Sequence, residues 1–389
     1  MKAKRYATEF KSSIVALYNE GRSVNSLANE YHLAVQTVTG WVKNLKSIPM
    51  LKLKLSAFKA FIFQKERILY MKKWFTIIAS IFACFILAVI MVIYIYGPNI
   101  NLYLLPPSPE RYGKIAIKKM NTYGYFTNSK AWQKTEKKAL VDMHSVHNYD
   151  EADAILQKII KVAGGKHSQI VTTKQITTET EHYEEPTIIN DNGLVTIHEP
   201  QFQGNTQQAN EYANKINDFL FKRKHEIKSI IIDLSNNNGG DMAPMILGIS
   251  SIIPDGNILS FVSPDGTSEK ISLKKGTINA VGASIDLNHN IKLTNVPVAV
   301  IINKQTGSSG EITALALKKV SKVKYFGQNS ASFTSANRTF PLYTGTTMYL
   351  TTAGVKDSKN KLYVNDPIVP DIQTNDPYGQ AKQWINSFN

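Results

Sequence analysis

The sequence predicts a mixed α/β core preceded by a small helical bundle, one membrane-spanning helix and an N-terminal all-α helix-turn-helix unit. Three observations carry that reading. From about residue 165 onward, short all-apolar runs alternate with longer amphipathic stretches, the pattern of strands and helices layered about a sheet. Residues 74–96 run without a charge, and at about 1.5 Å per residue they span the hydrocarbon of a bilayer. Within residues 1–47, apolar side chains recur at helical spacing between two breaks, at Gly21 and at His32-Leu33.

In the N-terminal unit, Phe10, Ile14 and Leu17 line a first helix that Gly21 ends. Ser23 caps a second helix carrying Val24, Leu27 and Ala28, and a third carries Val35, Val38, Trp41 and Val42. A tight turn between two short helices, the second presenting Gln36, Thr37 and Lys43, suits docking in a major groove. The stretches Arg5–Lys11 and Val38-Thr39-Gly40-Trp41-Val42 resemble the DNA-binding unit of insertion-sequence transposases. That resemblance implies DNA contact by residues 1–47. The plain alternative is a small helical bundle with no DNA role.

The formal charge of +15 is concentrated in this part of the chain. Residues 1–73 hold 14 Lys and Arg against four Glu and no Asp, leaving the remaining 316 residues only mildly basic. With 43% hydrophobic and 19% charged residues in 389, the composition excludes a disordered chain and allows two domains or one large one with attachments.

Residues 48–73 read as a basic linker. Lys72 and Lys73 flank the apolar run on one side, and no Lys or Arg follows until Arg111. The positive-inside bias therefore keeps the N-terminus cytoplasmic and exports residues from about Gly97 onward. No small-x-small site follows the run, so it reads as an uncleaved signal anchor. Met71-Lys72-Lys73 ahead of an apolar run is also how an exported protein begins, so residues 1–70 read as an upstream fusion, with a second translation start at Met71. The single cysteine, Cys84, allows no intramolecular disulfide and reads as a lipid-facing or buried small side chain. Phe82 makes Ile81-Phe82-Ala83-Cys84 a poor lipobox.

Beyond the stiff Pro106-Pro107-Ser108-Pro109 spacer, helical patterns at about 109–121, 129–145 and 149–163 predict a membrane-proximal bundle over 98–165, closed by Gly164-Gly165. The core, 166–389, follows. Strands are expected at 170–174, 194–198, 230–234, 298–302, 323–326, 347–352 and near Tyr363, with helices at 207–226 and 309–320. A short hairpin or cap is expected near 170–192.

Two segments carry chemistry. Thr306-Gly307-Ser308-Ser309-Gly310-Glu311 lies between an all-apolar strand and a helix, where a serine stands clear of the sheet and the next amides can hold an oxyanion. The same spacing, Ser308-x-x-Glu311, is a helix capping box, and both roles can coexist. The second segment, Ile230-Ile231-Ile232-Asp233-Leu234-Ser235-Asn236-Asn237-Asn238-Gly239-Gly240, ends a buried strand in a Gly-Gly turn that lets backbone approach a substrate. Taken alone it is a plain turn.

Together, Asp-Leu-x-x-Asn-x-Gly-Gly and, about seventy residues on, Thr-Gly-Ser-Ser-Gly-Glu resemble the tail-specific, or C-terminal processing, serine peptidases over residues 71–389. Leu104–Pro109, Lys161–Ser168, Thr334-Ser335-Ala336-Asn337 and Pro370–Asn375 add to the likeness, closest to a subgroup that acts on lanthipeptides such as nisin. The resemblance implies a tail-specific peptidase-like core, Ser308 as nucleophile and the histidine of Gly-Gly-Lys-His-Ser, His167, as base. It further implies an extracytoplasmic enzyme that trims the C-terminal tail of nisin or a related lanthipeptide. Many members use a lysine base, and Thr334-Ser335-Ala336-Asn337 supplies none where one is needed. Gly239 and Gly240, with the Ser309 N–H, are the oxyanion candidates, and Glu311 fixes the turn. Where the family has Arg-Gly after Asp-Leu this chain has Ser235-Asn236, which leaves the loop's geometry open. No metal-ligand spacing occurs and no cofactor is expected. The competing readings are a DNA-binding, transposase-related protein acting through residues 1–47, and an inactive peptidase that sequesters its peptide.

Overall fold

The computed structural model describes residues 5–173, 184–279 and 285–388. It divides into two units, Met1–Val92 and Ile93–Asn389.

In the first unit, helices α1 (Thr8–Asn19), α2 (Val24–Glu30) and the start of α3 (Val35–Tyr96) close around Ile14, Val15, Leu27, Ala28, Val38 and Val42. The Ser23 hydroxyl accepts from the Ser26 amide at 3.1 Å, as the sequence leads one to expect. Tyr6 and Phe10 pack edge-on against Trp41. Helix α3 runs without a break through 47/48 and 73/74. Lys and Leu are the commonest residues of the stretch between, and both favour helix. Ser56–Ile100 is, among the described residues, the one segment long and apolar enough to cross a membrane. Its large side chains, including Trp74, Phe82 and Phe85, point outward, and Cys84 is exposed with them.

The second unit opens where Arg111 lies on the Tyr94 ring, 3.4 Å from its centroid, and donates to the Tyr94 carbonyl at 2.5 Å. Helices α4 (Pro109–Tyr123), α5 (Lys130–Asp142) and α6 (Tyr149–Gly164) form the bundle, N-capped by Ser108, Ser129 and Asn148. The bundle is not a separate body. Tyr112, Met120, Trp132 and Leu156 share one core with Ile170, Phe340, Met348 and Leu350 from the following sheet.

Two sheets follow. One, of seven strands, joins β1 (Gln169–Val171), β5 (Gly256–Val262), β6 (Ser268–Lys274), β7 (Thr277–Ile278), β10 (Ser335–Pro341), β11 (Thr347–Asp357) and β12 (Leu362–Tyr363) around the long β11. The other runs β13 (Ile372–Gln373), β9 (Val323–Gly327), β8 (Val298–Ile302), β4 (Ser229–Asp233), β3 (Leu194–His198), β2 (Thr187–Asp191), parallel except for the β2/β3 pair. The all-apolar sequences of β4 and β8 have a direct cause. Ile230 and Ile232 face a core with α7 (Thr206–Arg223), α8 (Met242–Gly248) and α9 (Ser309–Leu317). Ile231, Ala299 and Ile301 face α10 (Pro377–Asn386) on the other side. A strand covered on both faces carries no alternation.

The expected strands at 194–198 and 298–302 appear with those bounds, and the one expected at 230–234 appears one residue earlier, as Ser229–Asp233. The expected cap near 170–192 partly falls on 174–183, outside the described residues. Its end, β2, extends the parallel sheet as an antiparallel edge instead. Strands β5, β6, β7 and β10 were not anticipated.

Neighbouring strands β4 and β8 set the site. Asp233 pairs with Ile301, so the loops that follow both strands emerge side by side at the carboxyl ends of parallel strands, where such sheets leave a crevice. Three bonds lock the loops together: Thr306 Oγ1 to the Leu234 carbonyl (2.8 Å), the Gly307 amide to the Asn237 carbonyl (2.9 Å) and the Asn236 amide to Asn303 Oδ1 (3.2 Å).

Candidate active site

Ser308 ends the β8 loop and opens α9 with φ +51° and ψ −121°. Few non-glycine residues adopt a positive φ, and holding one there needs outside support. Glu311 gives it. Its fully buried carboxyl accepts from the amides of Ser308 (3.0 Å), Ser332 (2.9 Å) and Phe333 (2.7 Å), and from the Ser330 hydroxyl. Burial pushes this carboxyl up to about 7, against the pull of the four donors. The anticipated capping box is formed, but its glutamate also ties the Ser308 turn to residues 330–333.

His167 arrives from the other direction. Gly165, at φ +79°, stops α6 and turns the chain. A side chain on Gly165 would run into Asn365 and Phe126. The imidazole Nε2 lies 3.1 Å from Ser308 Oγ, and Nδ1 lies 2.9 Å from Ser335 Oγ. The ring stacks on Phe333 with centroids 5.1 Å apart and planes 25° apart. Glu311 thus fixes both the Ser308 amide and the amide of Phe333, the ring against which His167 rests. Behind His167, Asn337 Nδ2 donates to its carbonyl at 3.0 Å, and the Thr351 amide donates to Ser168 Oγ at 2.8 Å. Burial drives the His167 pKa down to about 4, so the imidazole is neutral at physiological pH, with a lone pair to accept a proton.

The oxyanion candidates separate. The Gly239 amide donates to Asn237 Oδ1 at 2.9 Å and is spent there. The amides of Gly240 and Ser309 have no acceptor among the described residues, and Ser309 Oγ donates to the Gly240 carbonyl at 2.5 Å, holding the two together. Gly239, at φ +114°, serves by its lack of a side chain, since a Cβ there would sit 2.7 Å from Ser308 Cβ and 2.9 Å from the Ser309 nitrogen. Asn237 Nδ2 holds the loop from below through the carbonyls of Glu199 (2.9 Å) and Pro200 (3.1 Å). Asp233 takes a scaffolding part, accepting from His198, Tyr378 and Ser235.

Sequence reasoning missed Ser335, Asn337, Thr351 and Asn365. Thr334-Ser335-Ala336-Asn337 was noticed for the lysine it lacks, and its own hydroxyl and amide went unread. Among the described residues, His144 pairs with Glu110 at 2.8 Å, His198 with Asp233 at 3.1 Å and His289 with Asp218 at 3.4 Å. No group of His, Cys, Asp and Glu among the described residues could hold a metal ion.

A serine on a strand-to-helix turn, beside an imidazole and two open amides, is the apparatus of a serine hydrolase. The profile of Peptidase family S41 matches residues 193–374. A nisin-resistance protein of Lactococcus lactis subsp. lactis is 43% identical over 299 residues, covering 76% of this chain and 93% of that protein. The chain therefore belongs to the S41 serine peptidases, among relatives of the nisin-resistance protein. A solved lipoprotein structure from Streptococcus agalactiae is 31% identical with a TM-score of 0.65, over 74% of this chain and 99% of that one. The photosystem II D1 C-terminal processing protease superposes with a TM-score of 0.49 at 13% identity, over 69% of this chain and 94% of that one.

Proposed function

We propose that this chain is a membrane-anchored, extracytoplasmic serine peptidase that inactivates nisin or a related lanthipeptide by trimming its C-terminal tail. The observation that carries it is the 3.1 Å approach of Ser308 Oγ to His167 Nε2 beside open amides. Ser308 Oγ attacks the scissile carbonyl while its proton passes to Nε2. The carbonyl oxygen becomes an oxyanion between the Gly240 and Ser309 amides. The imidazolium then protonates the leaving amine, and water, deprotonated in turn by His167, releases the acyl-enzyme. The anchor in α3 would hold this chemistry at the membrane surface that a lanthipeptide attacks, with the N-terminal side, flanked by Lys72 and Lys73, in the cytoplasm. Cells making the full chain should survive nisin at concentrations that kill cells making Ser308→Ala. Equal protection by Ser308→Ala would point to sequestration.

A second reading has one observation of its own. Helices α2 and α3 meet at a tight turn through His32 (φ +53°), with Gln36, Thr39 and Lys43 exposed on α3. DNA contact by residues 1–47 would be strongly salt-dependent. Electrophoretic mobility shift with genomic fragments at low salt tests it, and absence of any shift removes it.

A further inference from the structure

We propose that Ser335 is the positioning residue of the base: its hydroxyl oxygen accepts a hydrogen bond from His167 Nδ1–H, donates its own hydrogen to the acceptors behind it, and so leaves Nε2 bare toward Ser308. The inference rests on the Ser308–His167 reading above and adds to it the group that selects the working tautomer.

The argument is a count of protons. Ser335 Oγ lies 2.9 Å from His167 Nδ1, 3.3 Å from Asn365 Oδ1 and 3.3 Å from Thr351 Oγ1. A hydroxyl has one proton and two lone pairs. Thr351 spends its proton on Asn337 Oδ1 at 2.7 Å, and the orientation of that amide is fixed because its Nδ2 donates to the His167 carbonyl at 3.0 Å. Thr351 can therefore only accept from Ser335, and Asn365 Oδ1 is an acceptor in any case. Ser335 is surrounded on the far side by acceptors, so its proton points away from the imidazole and a lone pair points toward it. Nδ1 must then carry the hydrogen. A neutral imidazole has one N–H, so Nε2 faces Ser308 as a base. In the other tautomer Nε2–H would donate to Ser308 Oγ and no proton could be taken.

The chain is buried: Ser335 is 1% and Thr351 0% exposed, so water does not replace a lost partner. It is also neutral throughout. Of the charged groups around it, Lys166 lies 5.9 Å from the Phe333 ring centroid and Glu311 bonds the amides of Ser308 and Phe333. Neither bonds the imidazole. A hydroxyl backed by an amide thus stands where a carboxylate orients the base of many serine hydrolases.

The full chain in detergent micelles is treated with a fluorophosphonate, which phosphonylates an activated serine with loss of fluoride, and labelling of Ser308 is followed by mass spectrometry across pH. Ser335→Ala should slow labelling roughly 10²-fold, less than the loss seen when a buried carboxylate is removed. Asn365→Asp places a carboxylate behind Ser335 and should move the acid limb of labelling upward by about one pH unit, as a nearby opposite charge favours the imidazolium. Labelling of Ser335→Ala at the parent rate, or an Asn365→Asp limb unmoved from the parent's, overturns the proposal. If Ser335→Ala does not fold, the Asn365→Asp limb decides alone. A parent chain unlabelled at Ser308 would instead defeat the nucleophile reading, a failure distinct from that of the positioning role.

Discussion

The two sides of the site are held by opposite means. The nucleophile side is gripped by a charge-capable group: the Glu311 carboxyl gathers four donors from two segments and keeps Ser308 in a backbone conformation that few side chains tolerate. The base side is held by neutral hydroxyls, amides and one aromatic face. The difference teaches what each side requires. A strained turn needs strong anchoring, and bonds to a buried carboxylate are among the strongest available. A base needs a set tautomer and ready proton exchange, and a dry neutral surround gives both while keeping its pKa low.

The largest effect is expected where the strong grip is removed. Glu311→Ala strands three buried amides and a hydroxyl, so it should abolish peptidase activity and cost about 3 kcal/mol or more of stability. Glu311→Gln, which keeps one acceptor, should retain more of both. Urea unfolding beside nisin digestion reads the two together. Wild-type stability of Glu311→Ala would break the comparison.

Next comes the approach of the two loops. Gly239→Ala puts a methyl against Ser308 and the Ser309 amide in a backbone region alanine avoids. The expected loss is roughly 10²-fold in kcat, comparable to removal of one oxyanion donor, with the fold intact by circular dichroism.

The neutral side predicts the pH behaviour. With the His167 pKa near 4, the imidazole itself should lower kcat/KM only as pH drops through about 4, and a change nearer 7 belongs to protonation of Glu311. The stability sign follows from the same shift. The unfolded histidine, with its ordinary pKa near 6.5, binds protons that the folded one refuses, so His167 lowers stability progressively as pH falls from about 6.5 toward 4. An acid limb near 6.5 that persists in Glu311→Gln would show an imidazole far less buried.

The smallest effect sharpens the contrast between two buried carboxyls. Glu199 is as buried as Glu311, yet both its oxygens lack partners among the described residues, and burial holds its pKa well above the ordinary value. Burial favours its neutral form, so Glu199→Gln should change stability by less than about 1 kcal/mol and leave kcat nearly unchanged. A large loss would give that carboxyl a partner or a part in the loop's support.

Much of this was legible in the sequence for identifiable reasons. Strands β4 and β8 are uninterrupted apolar runs because helices cover both of their faces, and short runs of that kind are hard to mistake. Ser308, Glu311, Gly239 and Gly240 lie in segments whose glycines and capping spacing mark a constrained turn. Strand β2 was missed because an exposed edge carries polar residues, and β10 because it owes its place to pairing with β11 rather than to its own pattern. Ser335 and Asn365 escaped because a serine and an asparagine become informative only when a histidine from 168 residues earlier is folded against one of them. The continuity of α3 was hidden for a different reason: a basic stretch and an apolar stretch look like separate elements although both favour helix.

The central claim is that Ser308 and His167 together cut a lanthipeptide. The most direct test incubates nisin with the full chain, with Ser308→Ala and with His167→Ala, and reads the products by mass spectrometry. The account predicts a peptide shortened at its C-terminus from the parent and intact nisin from both variants. Intact nisin from all three, or the same fragment from Ser308→Ala, would contradict it.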